Sequence, residues 1–134
     1  MKDAVAVVVK KGGRFLLIKR AKKNEAEDYW CPITGAVEQG ETQEEAVVRE
    51  AKEEMNIVVH PIKKVWECLT DDKRYLLHWW YVESTAEGIV PNPSEVKEYS
   101  WFTWEEMQKI DKMFDADLHF FREIGVRLTD PEIL

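Results

Sequence analysis

The sequence predicts an α/β fold, a mixed sheet with one amphipathic helix against one side and a second helix against the other. Three observations carry that reading. The runs Ala4–Lys10, Phe15–Ile18 and Tyr75–Val82 have the β-branched and aromatic composition of strands. The stretch from Thr42 to Asn56 holds about four turns of good helix formers with no Pro or Gly between its ends. A second helix is predicted over Asp115 to Val126, with Leu118, Phe121 and Ile124 facing inward and His119 outward. At 134 residues, 45% of them hydrophobic, the chain reads as one domain over 1–134, large enough for a core without disulfides.

Taken in order, Ala4–Lys10 is nearly continuous in apolar residues and suits a strand covered on both faces. Lys11-Gly12-Gly13-Arg14 is a turn, and Phe15–Ile18 is the returning strand of a hairpin. Lys19 and Arg20 close it, either as a polar strand end or, for Arg20, as fork-shaped donors to a substrate phosphate. Ala21–Asp28 is a charged surface loop. Trp30 is either a wall of a substrate pocket or a core residue. Cys31 has no basic neighbour in sequence to make it a thiolate, so it reads as a plain thiol. Ile57–His60 and Ile62–Leu69 are strands interrupted by Pro61, and Thr70–Lys73 is a turn. Alternation along Tyr75–Val82 puts Tyr75, Leu77, Trp79 and Tyr81 on one face and Leu76, His78, Trp80 and Val82 on the other. One face is core; the other offers a surface for stacking a base or for a homodimer contact, and His78 reads as a packed residue. Ser84–Ser94 is the longest loop, Tyr99–Phe102 a last short strand, and Thr103 with Glu106 a capping box opening a helix to about Ile110.

The helix from Thr42 carries the chemistry. Thr42 and Glu45 form a capping box, and Asn56 is suited to a left-handed C-terminal cap. Val47, Val48, Ala51 and Met55 make an apolar stripe for docking on the sheet. Glu50, Glu53 and Glu54 stand at i, i+3 and i+4 and converge on the neighbouring stripe. Such a triad is either a solvated acidic face or a site for a hard divalent cation, which carboxylates, water and substrate phosphates hold together.

Gly35, then five residues, Glu41, then seven residues, then Arg49-Glu50-Ala51-Lys52-Glu53-Glu54-Met55-Asn56-Ile57 resembles the signature of the Nudix hydrolases, G-x5-E-x7-R-E-U-x-E-E-x-G-U. Every fixed charged position matches. Ala51 is smaller than the usual bulky apolar residue, and Asn56 replaces the final Gly, a change that a left-handed turn tolerates. The resemblance implies a Nudix-type α/β/α sandwich with a mixed sheet, and Mg²⁺ (or Mn²⁺) held by Glu50, Glu53, Glu54 and the backbone carbonyl near Gly35. It implies that Arg49 positions the glutamates, paired with Glu41, and that Arg20 meets substrate. It also implies that Glu95, or Glu98 as its neighbouring candidate, is a fourth metal ligand or the general base rather than a plain surface carboxylate, and that Glu53 or Glu95 takes the proton of the attacking water.

The net charge of −7 argues against a nucleic-acid polymer as partner, since nothing in it neutralises phosphates. Cys31 and Cys68 have no metal-ligand spacing and read as free thiols. With no leader or membrane span visible, a cytoplasmic location and no membrane partner are the expectations. For substrate, Tyr29–Thr42 with Arg49–Glu54 is similar to the bacterial dATP and dihydroneopterin triphosphate pyrophosphohydrolases. That similarity implies a nucleoside triphosphate-like small molecule, a nucleoside diphosphate linked to another moiety. Tyr75 lies 18 residues past the motif, where diadenosine polyphosphate hydrolases often carry Tyr, which makes those substrates the second reading. No Pro stands at the spacing that suggests ADP-ribose substrates. A non-catalytic nucleotide-binding module is the alternative class, and the intact glutamates argue against it.

Overall fold

The computed structural model describes residues 1–23 and 25–129. Lys2–Val8 forms β1, Lys10–Lys11 β2 and Arg14–Arg20 β3. Trp30–Cys31 forms β4 and Ile33–Ala36 β5, and Gln43–Met55 is helix α1. His60–Leu69 is β6, Tyr75–Glu83 β7 and Val96–Phe102 β8. Trp104–Met107 is a single-turn helix α2, Asp115–Glu123 is α3, and a 3₁₀ turn covers Gly125–Arg127.

The strands lie in two sheets. One runs β5-β1-β7-β6, with β1 antiparallel to β5 and parallel to β7, so it is mixed. In the other, β3 pairs with β8 along its length and with β2 and β4 at its two ends. The expected hairpin is therefore much shorter than predicted. Lys10 and Lys11 pair back onto β3 across Gly12 and Gly13, with φ of +54° and +76°, and one further bond runs from Leu16 N to Val9 O. Two positive φ values in succession match the twist of a tight hairpin and suit glycine. Beyond that turn, β1 and β3 part into different sheets.

Both faces of the sheet layer are covered. Val5, Val7 and Val9 pack with Val47, Ala51 and Met55 of α1, while Ala4, Ala6 and Val8 pack with Trp79, Phe120 and Phe121 on the α3 side. Trp79 stacks on Phe120 at 4.0 Å. On β7, Tyr81 and Trp79 go into one core and Trp80 and Val82 into the other, so most of the aromatic strand is interior, while Tyr75 at its start is half-buried. His78 is buried, with Nε2 2.9 Å from Asp3 Oδ1, in keeping with a packed residue.

Helix α1 has both ends as predicted, with the Thr42–Glu45 capping box formed and Asn56 left-handed at φ 54°. Its stripe is rotated: Ala46 is buried and Val48 is 40% exposed. Pro61 does not interrupt β6, because β6 is the edge of its sheet and loses no ladder bond on its outer side. Helix α2 stops at Met107, short of Ile110, where the chain tightens into Lys109 N to Glu106 O and Ile110 N to Met107 O bonds. Helix α3 gives way to its 3₁₀ turn before Val126. Among the described residues, no helix is long and apolar enough to cross a membrane.

Candidate active site

The sequence between β5 and α1 folds as a tight loop because Arg49 organises it. Arg49 Nε and Nη2 donate to Glu41 at 2.7 and 2.9 Å, a two-pronged pair, and Nη2 also donates to the Ala36 carbonyl at 2.9 Å. Its Nη1 donates to Glu50 at 2.7 Å and Glu53 at 3.2 Å. One planar cation thus ties loop to helix, which a lysine's point charge does not reproduce. The guanidinium holds the Glu41 carboxyl below the usual carboxylate range.

The three glutamates do not share one environment. Glu54 lies on the buried face at 4% exposure, and its Oε2 has no hydrogen-bond partner. Burial, then its hydrogen bond to Glu50 and the charges of Glu50 and Glu95, push its carboxyl up to about 10, with Arg20 opposing. Burial also raises Glu50, against the pull of Glu54 and Arg49. Gly35 is packed so closely against the Glu50 carboxylate that a Cβ there would overlap it. The Glu53 side chain is 55% exposed and turned toward Arg49. Among the described residues, no three His, Cys, Asp or Glu side chains are gathered as a ready ligand set. The donor chemistry nonetheless fits a divalent cation. Two facing acids in a low-dielectric wall, one with an unpartnered oxygen, are relieved by a hard ion that replaces their shared proton.

Glu54 opens into a cleft of about 610 Å³. Arg20, Gly35, Tyr75 and Glu95 line the same cleft. Arg20 reaches it from the end of β3, braced by Nε donating to the Glu25 carbonyl at 3.0 Å. Glu95 is paired with Lys22 at 3.3 Å. The loop before Glu95 is fastened to the C-terminal end of α1 through Asn92 N to Glu54 O, Val90 N to Met55 O, and Asn56 Nδ2 to Val90 O. Trp30 lies apart, its ring edge-on to Phe102 at 5.0 Å, and Glu98 is exposed on β8 opposite Lys19. Cys31 lines the cleft as a buried thiol, pushed up to about 12 by burial, so it is no nucleophile.

Asp117 also lines the cleft and went unnoticed in the sequence. It is 3% exposed, its Oδ2 lacks a partner, and burial pushes it up to about 8. The sequence carries a partial signal for it, in competition with a stripe of Leu118, Phe121 and Ile124. Asp117, Phe120, Phe121 and Ile124 stand at i, i+3, i+4 and i+7, the spacing of an inward stripe with an acid in it.

A family model described as the NUDIX domain matches residues 1–124. The chain is 30% identical over 117 residues to the NAD-capped RNA hydrolase NudC of Deinococcus radiodurans, covering 84% of this chain and 41% of that protein. It is 33% identical over 112 residues to the ADP-ribose pyrophosphatase of Methanocaldococcus jannaschii, covering 80% of this chain and 66% of that one. The chain thus spans about two fifths of the length of the NudC relatives it matches. Among solved structures, a MutT NUDIX hydrolase from Burkholderia pseudomallei superimposes with a TM-score of 0.77 at 20% identity, over 92% of this chain and 97% of that one. That last likeness bears on the fold alone.

Proposed function

The chain belongs to the Nudix hydrolase family, and from that premise we propose that it is a divalent-metal-dependent pyrophosphohydrolase. Its substrate is a nucleoside diphosphate linked to a second moiety, and it releases a monophosphate. The observation that carries this reading is Glu54, a buried acid with an unpartnered oxygen facing a cleft that also holds Arg20 and Glu95. Glu50, Glu53, Glu54 and the carbonyl near Gly35 would hold the ion, Mg²⁺ or Mn²⁺. When bound, such an ion neutralises phosphate oxygens and acidifies water. Arg20 binds a phosphate with its planar donors. Arg49 works at one remove, fixing Glu50 against Gly35 rather than touching substrate. Glu95 takes the proton from the attacking water, since it lines the cleft, and Glu53 is left to the ion. The substrates named for the NudC and ADP-ribose pyrophosphatase relatives contain an ADP unit joined to something else. Those names favour a linked diphosphate over a simple triphosphate.

Glu54→Gln keeps the shape and removes the charge. Monophosphate release from ADP-ribose, NAD and ATP at saturating Mg²⁺ is expected to fall on the order of a hundredfold or more, with an unchanged melting temperature. Full activity in the variant would overturn the assignment. Calorimetric nucleotide binding by the wild type with no product formed would make the protein a binding module instead.

A further inference from the structure

Lys22 has no part in the reaction described above, yet its ammonium engages the carboxylate which that reaction assigns to the water. Nζ lies 3.3 Å from Oε2 of Glu95 and 4.0 Å from Oε2 of Glu25. The backbone builds the pairing in. Ala21 N donates to the Glu95 carbonyl at 3.0 Å, and the β3–β8 register shifts between Lys19 and Arg20, an irregularity of the kind that re-aims the side chains beyond it. Both Lys22 and Glu95 line the cleft. The other cations lining it are held differently. Arg20 is braced through Nε on the Glu25 carbonyl, and Arg74 belongs to the β6–β7 turn, 4.0 Å from Asp72. Lys22 and Glu95 are 45% and 32% exposed at their side chains. A part-exposed pair of this kind contributes little, so a better partner can take the lysine from it.

We propose that Lys22 is exchanged between Glu95 and the substrate: a phosphate oxygen of the linked diphosphate takes the ammonium, and Glu95 is released to the attacking water. The proposal rests on the hydrolase reading given above and adds the step by which the substrate readies its own base. A linked diphosphate carries a negative charge on each phosphorus and offers several oxygens to a single ammonium. Lysine suits the exchange, being a compact charge on a flexible stem, whereas a planar guanidinium is committed to the fork it makes. The wall needs such a cation. Glu54, Asp71, Asp72 and Asp117 line the same cleft, in a chain whose net charge is −7, so an incoming anion meets repulsion there. Lys22 offsets Glu95 while they are paired and the substrate once they part. A molecule with no phosphate in reach leaves the pair closed and Glu95 engaged.

The test is a binding cycle with inorganic imidodiphosphate, a bare diphosphate whose bridge resists hydrolysis, in saturating Mg²⁺. Kd by calorimetry is compared for wild type, Lys22→Met, Glu95→Gln and the double variant. Lys22→Met is expected to bind about tenfold more weakly. Glu95→Gln keeps the shape but frees the ammonium, and is expected to bind about two- to fivefold more tightly. In the double variant that tightening should vanish. Tightening that persists without Lys22 would be a field effect of the lost charge and would overturn the exchange. Weaker binding by Glu95→Gln, a Kd indifferent to Lys22→Met, or a wild type that does not take the probe would overturn it too. On the best substrate among ADP-ribose, NAD and ATP, Lys22→Met should raise KM about tenfold and keep kcat within about threefold. A fall in kcat at unchanged KM would instead make Lys22 a fixed support for Glu95. If nothing is turned over while the binding cycle holds, the hydrolase reading falls and the exchange stands. If turnover is intact and the cycle is flat, the reverse holds.

Discussion

Glu54 and Asp117 are two acids carried into the interior, and each has its ionisation opposed first by burial. For Asp117 the consequence for stability has a definite sign. Its folded carboxyl sits at about 8 against 3.8 for the free group. Below about pH 3.8 both forms are protonated and nothing is lost. As pH rises toward 8 the unfolded chain ionises and the folded one does not, so stability falls by up to about 1.4 kcal/mol per pH unit. Denaturant midpoints of wild type and Asp117→Asn between pH 4 and 9 are expected to diverge over that window, the wild type declining more steeply. Parallel profiles would mean that Asp117 is ionised in the fold. At this scale the motif glutamates were legible because their spacing on one helix is a local fact. Asp117 was not, because Asp115 and Asp117 at a helix start pass for ordinary first-turn acids. Only the packing of Phe120 and Phe121 reveals which side faces in.

At the level of elements, the site depends on how α1 ends. Asn56 does two things there: it takes a left-handed backbone at φ 54°, and its Nδ2 donates to Val90 O at 2.7 Å. Asn56→Ala loses both and is expected to cost about 1–2 kcal/mol in chemical denaturation. Asn56→Gly restores the backbone freedom but not the tether, so its cost should be smaller. A glycine variant as unstable as the alanine one would place the whole effect in the tether. The ends of α1 could be read in advance because caps are made by neighbours in sequence. Its rotation could not. Val48 and Ala46 flank the same stripe, and the choice between them is made by where β1 and β5 lie. The parting of β1 from β3 was hidden for a similar reason, since the residues of a β-branched run do not say which sheet they join.

For the molecule as a whole, the cleft draws its walls from separate stretches of chain: β3, β5, the last turn of α1, the Glu95 loop, and α3 with the β6–β7 turn. The α/β class and the sandwich were readable from composition and periodicity. The convergence of these stretches was not, because it depends on strand order. The last wall rests on one contact. Helix α3 has no side-chain cap of its own; instead Asp71, in the β6–β7 turn, accepts from Asp115 N at 2.8 Å and Ala116 N at 2.9 Å. A nine-residue helix is marginal alone, so its order is borrowed from a hairpin more than forty positions away. Cutting that loan with Asp71→Ala should cost about 1 kcal/mol and lower the melting temperature by several degrees. The far-ultraviolet signal of helix and the tryptophan fluorescence, to which buried Trp79 contributes, should still vanish together, since α3 packs on the sheet through Trp79 and Phe120; separate transitions would mean that α3 holds itself up. A protein built this way is expected not to loosen piecemeal on heating, but to keep its cleft whole until it loses everything at once.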